Sequence, residues 1–353
     1  MVREYGYEYD AALDTAVWAK TRGSVTSKKL WDAYCLRSGR DALKAIAREY
    51  PPGVVLLPAL ACNSMVHPFE LYGHEIKYYR LNDRYEIDLD NLEGLIVREK
   101  PILFLYMNYF GNPAIRDETL EGFRARSNII FIEDRTHDLL SERSSSFRSD
   151  YVMASLRKWI PVPDGGLLWG KISKPLGADT SFSTTRLKAQ RMRHEFLRCG
   201  DESIKVEFRK LFSTVSDIME DDEPSAMTSY SYELAIKTDW DRIKKSRRDN
   251  AETIINALSA SPFVAFIQKT VGLSDLYVPF LVPNRDEVQR RLSAQGIFNT
   301  IIWPITDKQK QACGIAGFTE EHMLAAPCDQ RYTKEDMKYI GAEIVRVIAD
   351  VNR

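Results

Sequence analysis

The chain predicts an α/β fold: a large domain with a mostly parallel, mixed sheet flanked by helices, followed by a small C-terminal α+β domain. Three observations predict it. Apolar, strand-like runs alternate with helical segments between Val54 and Glu133, as in chains that wind helices over a parallel sheet. A length of 353 residues exceeds the usual span of one hydrophobic core. Beyond a polar, helical stretch over residues 185–255, the pattern changes to strand, helix, strand and a closing helix. The boundary falls between about 235 and 250, giving domains of residues 1–240 and 241–353.

In chain order, residues 1–37 hold scattered aromatics (Tyr5, Tyr7, Tyr9, Trp18, Trp31) without clear period and lead toward the first helix. Arg40 to Tyr50 reads as that helix, with Ala42, Leu43, Ile46, Ala47 and Tyr50 on one face and Ser38-Gly39 as cap and turn. Its free N-terminal amides suit an anion such as phosphate. Pro51-Pro52-Gly53 ends it. The alternation then runs Val54–Leu57, His67–Leu71 into a turn, Ile76–Tyr79, Leu92–Arg98, Ile102–Met107, Glu118–Ala125 and Ile129–Glu133. Two apolar runs, Tyr151–Ala154 and Leu167–Trp169, hold between them a loop carrying Lys158. Pro224 and the patch Ser225–Tyr232 break the helical region. The C-terminal part reads as Leu276–Val282, Asp286–Gln295, Phe298–Trp303 and a helix over Lys334–Val351.

Composition excludes several classes. Lysine and arginine number 49 against 50 acids, so no basic field draws nucleic acid. The five cysteines (Cys35, Cys62, Cys199, Cys313, Cys328) are scattered, without Cys-x-x-Cys spacing, which signals neither a disulfide framework nor a metal site. A reducing cytoplasm fits them. No apolar run approaches the ~18 residues that span a bilayer, and Met1–Glu8 lacks an apolar signal-peptide core. A soluble protein without a membrane partner is therefore expected. Gly165-Gly-Leu-Leu-Trp-Gly170-Lys171 satisfies the spacing of a phosphate loop. Ile172 stands where that loop needs Ser or Thr, and Pro175 and Gly177 follow where its helix should run.

The chemistry concentrates around Ser155–Gly166. Ile129–Ile132 reads as a buried strand ending in Glu133-Asp134, and acids at strand C-termini sit where open α/β sheets bind ligands. A lysine amine can form a Schiff base with an aldehyde, while a carboxylate beside a pyridine nitrogen keeps it protonated. Lys158 and Asp134 thus form the minimal apparatus of a pyridoxal phosphate enzyme.

The order of segments resembles the DegT/DnrJ/EryC1/StrS sugar aminotransferases. Ser38-Gly-Arg-Asp-Ala-Leu43 resembles their phosphate turn, Asn108-Tyr-Phe-Gly111 their His-x-x-Gly, and Ile132-Glu-Asp-Arg-Thr-His137 their Glu-Asp-Ala-Ala-Gln/His. Lys158 precedes Gly165-Gly166 at the family's distance. Gln295-Gly-Ile297, Leu324-Ala-Ala-Pro327 and Thr333-Lys-Glu-Asp336 extend the likeness almost to the C-terminus.

The resemblance implies a fold-type I pyridoxal 5'-phosphate-dependent transferase, a homodimer, with Lys158 and Asp134 catalytic. It implies that Gly39, Arg40, Asp41, Cys62, Asp134, His137, Ser155 and Lys158 bind the cofactor, and that no metal takes part. An amino acid, with glutamate expected, donates the amino group; a keto-sugar, nucleotide-linked in the usual case, accepts it. Three features depart from the family. Two residues rather than four separate Ser155 from Lys158, Cys62 replaces a stacking aromatic, and Ser229-Tyr-Ser-Tyr232 only loosely matches a segment that reaches the partner's site. A degenerate binding protein of the same fold, or an enzyme with a non-sugar acceptor, stays open. The run Arg186, Lys188, Arg191, Arg193, Arg198 suggests contact with a sugar nucleotide's diphosphate.

Overall fold

The computed structural model describes residues 2–11, 32–141, 148–218, 223–267 and 275–353. After a two-residue strand β1 (Tyr5–Gly6), the main sheet takes β2 (Tyr34–Leu36), β3 (Val54–Pro58), β4 (Glu75–Tyr79), β5 (Leu103–Met107), β6 (Ile130–Asp134), β7 (Tyr151–Ser155) and β8 (Gly166–Trp169). Their spatial order is β2-β8-β7-β6-β5-β3-β4. Strands β3 to β7 run parallel, and β8 is antiparallel to both its neighbours. The mostly parallel, mixed sheet expected from the sequence is therefore present. The helices α1 (Gly39–Ala47), α2 (Asn63–Leu71), α3 (Leu89–Glu99) and α4 (Asp117–Arg126) alternate with the strands. Strands β5 and β7 are buried along their whole length, the state of strands covered on both faces.

Helix α1 starts where the Ser38 hydroxyl accepts the Asp41 amide at 3.1 Å, and it buries Ala42, Leu43, Ala45, Ile46 and Ala47. It ends at Ala47 rather than Tyr50, whose hydroxyl instead donates to that of Tyr151 at 3.1 Å. Its first turn lies tight against β8. A Cβ at Gly166 would stand 2.2 Å from the Ser38 carbonyl oxygen, so only glycine lets the helix start approach the sheet.

The C-terminal part follows four helices, α5 (Ser181–Cys199), α6 (Glu202–Ile218), α7 (Ser229–Lys237) and α8 (Trp240–Leu258). It comprises β9 (Ala265–Phe266), β10 (Tyr277–Leu281), α9 (Arg285–Ala294), β11 (Ile297–Phe298), α10 (Asp307–Ala312), α11 (Gly314–His322), β12 (Met323–Pro327) and α12 (Lys334–Asn352). An antiparallel sheet of order β12-β10-β9 packs Val278, Phe280 and Leu324 against Ile254 and Leu258 of α8 and Ile340 and Ile344 of α12. Helix α8 belongs to two cores, because Trp240 and Ile243 at its start pack with Leu156 and Trp159.

Two expectations change. The strand read over Phe298–Trp303 shrinks to Ile297–Phe298, which pairs parallel with β1. After it, Thr300 makes a single bridge to Ala325. Pro304 follows Trp303 and offers no N–H to extend a ladder. The N-terminal aromatics also have a role: Tyr5 is buried in the C-terminal core beside Tyr332 and Tyr339. Trp18 and Trp31 lie outside the described residues.

Candidate active site

A cavity of about 470 Å³ opens at the C-terminal ends of β5, β6 and β7, where Met107, Asp134 and Ser155 close their strands. Among the predicted site residues, Gly39, Arg40, Cys62, Asp134, Ser155 and Lys158 all line it. Asp41 and His137 do not. The Asp41 carboxylate is held by Arg37, with Nε at 2.7 Å and Nη2 at 3.2 Å, inside a wholly buried ion pair behind α1. His137 is fully buried, with its ring stacked on Phe110 at 5.2 Å and edge-on to Trp303 at 5.5 Å. Burial, with the Lys158 charge nearby, holds its pKa well below the ordinary histidine value, so a neutral ring stands behind the wall.

Lys158 ends a 3₁₀ turn, Leu156–Lys158, that leaves β7 directly. The short Ser155–Lys158 spacing is thus a tight turn rather than a missing loop. Its exit is fixed at Trp159, whose carbonyl accepts from Gln330 Nε2 at 2.8 Å and the Tyr9 hydroxyl at 3.1 Å, and whose indole N–H donates to the Thr136 carbonyl at 2.9 Å. Arg247, buried on α8, lies 4.9 Å over the Trp159 ring. Its Nη2 reaches Tyr9 Oη at 2.6 Å and the Lys158 and Trp159 carbonyls at 3.4 Å. The Lys158 amine lies 5.4 Å over the Trp303 ring. Burial lowers its pKa, partly offset by Cys62 and Asp134.

Asp134 is 4% exposed, and its Oδ1 accepts the Thr136 amide at 2.8 Å. Burial raises its carboxyl above the usual range, against the Thr136 hydrogen bonds and the Lys158 charge that lower it. Thr136 is a node that sequence reading missed. Besides serving Asp134 and Trp159, its hydroxyl accepts the Ser155 amide at 3.1 Å and so ties the ends of β6 and β7 together. Cys62 caps α2 beside the lysine, and burial pushes its thiol up.

This donor set fits pyridoxal phosphate. Lys158 offers an amine to the aldehyde, Asp134 a buried carboxyl to the ring nitrogen, and the first turn of α1 with Arg40 and Ser155 offers donors to a phosphate. Among the described residues, no group of three or more His, Cys, Asp or Glu side chains is placed to hold a metal ion.

The structure divides the basic run. Arg186 is buried and lines the cavity, whereas Arg193 is buried against Glu4 at 3.5 Å and Asp10 at 3.9 Å. Lys188, Arg191 and Arg198 are exposed on the outer face of α5. Of the basic run, only Arg186 lines the cavity. Ser229–Tyr232 opens α7 away from the cavity wall, with Tyr230 and Tyr232 exposed. Sequence reasoning passed over Arg157, Glu8, Trp303 and Arg247. Only Arg157, adjacent to the lysine, carried a positional signal.

No protein-family model matches the chain, and no curated protein matches it in sequence. Solved structures do match, and they define the class: the chain has the fold of the fold-type I aminotransferases. A Brucella abortus DegT/DnrJ/EryC1/StrS aminotransferase aligns over 94% of this chain and 92% of its own at 16% identity, with a TM-score of 0.64. Helicobacter pylori PseC, an aminotransferase involved in pseudoaminic acid biosynthesis, aligns over 99% and 100% at 14% identity and a TM-score of 0.68. DesV from S. venezuelae, solved in complex with a ketimine intermediate, aligns over 90% and 83% at 14% identity and 0.62.

Proposed function

We propose that this protein is a pyridoxal phosphate-dependent aminotransferase that moves an amino group from an amino acid, glutamate being the expected donor, to a nucleotide-linked keto-sugar. The observation that carries the reading is the pairing of Asp134 and Lys158 at the ends of adjacent strands, facing one cavity with the α1 N-terminus on the same wall. When bound, pyridoxal phosphate supplies an aldehyde for the lysine and a ring that accepts electrons.

The chain's own residues do the rest. Lys158 holds the cofactor and then moves a proton, a task suited to an amine whose pKa burial has lowered. Asp134, oriented by Thr136, keeps the proton on the ring nitrogen. Gly39, Arg40 and Ser155 hold the phosphate, and Cys62 and Trp303 flank the lysine. The keto-sugar acceptor is supported by the structural likeness to the Brucella DegT/DnrJ/EryC1/StrS aminotransferase and to PseC, an aminotransferase involved in the biosynthesis of pseudoaminic acid.

Borohydride reduction of the purified protein, followed by peptide mass spectrometry, is expected to find a pyridoxyl group on Lys158. Glutamate alone is expected to yield one 2-oxoglutarate per site. A label on another lysine, or none, removes the assignment. If free keto acids turn over faster than every nucleotide keto-sugar tested, the acceptor class is wrong while the aminotransferase reading stands.

We further place the protein in the cytoplasm as a homodimer. The five cysteines are free thiols, as a reducing compartment keeps them. No helix among the described residues is long and apolar enough to cross a membrane. The exposed Tyr230 and Tyr232 stand on the segment that resembles the family's partner-reaching stretch. Sedimentation of an active monomer would refute the dimer.

A further inference from the structure

We propose that Arg157 and Arg186 form a subsite for a phosphate oxyanion carried by the substrate, and that Glu8 is the counter-ion this oxyanion displaces. The inference rests on the aminotransferase reading above and names how that site recognises its acceptor.

Three distant stretches converge here: the lysine turn brings Arg157, α5 brings Arg186, and the chain leaving β1 brings Glu8, all lining the same cavity. Arg186 is 4% exposed and donates through Nη2 to the Glu8 carboxylate, while its Nε is buried without a hydrogen-bond partner. The Nε of Arg157 is likewise buried and unpartnered. Each guanidinium lies over an aromatic ring, Arg157 over Phe182 at 5.3 Å and Arg186 over Phe212 at 5.2 Å. A ring face supports a cation but offers its N–H edge nothing, so the forks still call for in-plane acceptors.

Charge points the same way. Among the described residues, the cavity is lined by the cations Arg40, Arg157, Lys158, Arg186, Arg247 and Arg331 and by the carboxylates of Glu8, Asp134 and Asp329. Asp329 is committed to Arg331 through two contacts of 2.8 Å, and Asp134 lies beside Lys158. Of these three, Glu8 is the carboxylate that faces both Arg157 and Arg186, while Asp164, outside the cavity lining, also acts on Arg157. Burial, with the charges of Arg186 and Arg40, depresses Arg157 to about 9, and Glu8 offsets this only in part. A bound phosphate offsets that penalty, and a guanidinium fork suits it in geometry as well as charge. At the α1 end of the same cavity, Arg40 Nη2 is turned onto Ser64 Oγ at 3.2 Å.

The test is calorimetric titration of inorganic pyrophosphate into the cofactor-loaded protein in phosphate-free buffer, with the visible cofactor band recorded on the same sample. Arg157→Gln and Arg186→Gln are expected to weaken binding at least tenfold, and Glu8→Gln to tighten it several-fold. A merely structural ion pair would not give opposite signs at its two ends. Should Arg186→Gln fail to fold, Arg157→Gln and Glu8→Gln carry the test. Equal affinities across the variants overturn the proposal. So does binding seen only in cofactor-stripped protein, which would give these arginines to the cofactor's own phosphate. Absence of the visible band marks failure of the aminotransferase reading instead, and the pyrophosphate titrations still read independently.

Discussion

Replacing Arg247 with methionine tests whether the C-terminal part of the chain positions the lysine. Methionine retains most of the alkyl volume, so little cavity forms. What disappears is a set of donors: Nε to Gln330 Oε1 at 2.9 Å, Nη1 to the Asp275 and Leu276 carbonyls at 3.2 and 3.1 Å, and Nη2 to Tyr9, Lys158 and Trp159. Asp275 O retains the Cys328 thiol at 3.2 Å, and Trp159 O retains Gln330 and Tyr9. Gln330 Oε1 and Leu276 O lose a buried donor, and the part-buried Lys158 O loses a longer contact of 3.4 Å. At about 1–3 kcal/mol for each buried acceptor left unsatisfied, the loss comes to about 2–6 kcal/mol. Relief from burying a charge places it toward the lower end. The assay pairs thermal denaturation of the cofactor-free protein with the extent of borohydride labelling at Lys158 in the folded fraction. A fall in Tm of roughly 3–5 °C is expected for a chain of this length, together with slower labelling because the turn is no longer held. A Tm within about 1 °C of wild type and unchanged labelling would refute the positioning role.

Three further outcomes are expected. Asp134→Asn loses most turnover yet stabilises the cofactor-free protein at neutral pH: burial raises the folded-state pKa, so the ionised carboxyl weakens the fold above that pKa, and an amide does not. The gain should shrink as pH falls through the folded-state value and vanish below the ordinary carboxylate range, where the wild-type group is protonated folded and unfolded alike; denaturation across pH checks the sign. Thr136→Val leaves the buried Ser155 amide without its acceptor and should cost about 1–3 kcal/mol by denaturant titration, with a raised Kd for pyridoxal phosphate. Gly166→Ala drives a Cβ toward backbone at Ser38 and should lose cofactor affinity before it loses secondary structure, which fluorescence titration and circular dichroism distinguish.

The sheet was readable because its strands are covered on both faces, so their apolar runs, Val54–Leu57 and Ile102–Met107 among them, stand out without tertiary information. Helix ends were less readable. Tyr50 continues the apolar face of α1 in sequence, but the chain turns it toward Tyr151. Lys158 and Asp134 could be seen because the order of segments around them resembles a known family; an acid or a lysine alone would not have stood out in a chain with 28% charged residues. Asp41 and His137 show the limit of a motif: position in a string does not say which way a side chain turns, and Arg37 and Phe110 decided it. Thr136, Glu8 and Arg247 were hidden for another reason, since each acts through a neighbour distant in sequence. Nothing local marks a threonine as the tie between two strands.

The pairing of β1 with β11 bears on when the protein can become active during its synthesis. Gly6 N donates to the Tyr332 hydroxyl at 2.6 Å, Tyr5 Oη donates to Asp336 at 3.1 Å, and Arg331 reaches the Glu8 carbonyl at 3.2 Å. Residues 6–9 on one side, and 327, 329 and 331 on the other, are walls of the same cavity. A nascent chain can assemble β3 to β7 as they emerge, but β1 stays unpaired until Ile297 and Phe298 of β11 have been made. The cavity is therefore walled on all sides only after Arg331 has been made. A ribosome-stalled chain ending before Pro327 would present Lys158 and Asp134 in a groove that lacks the wall formed by residues 327, 329 and 331.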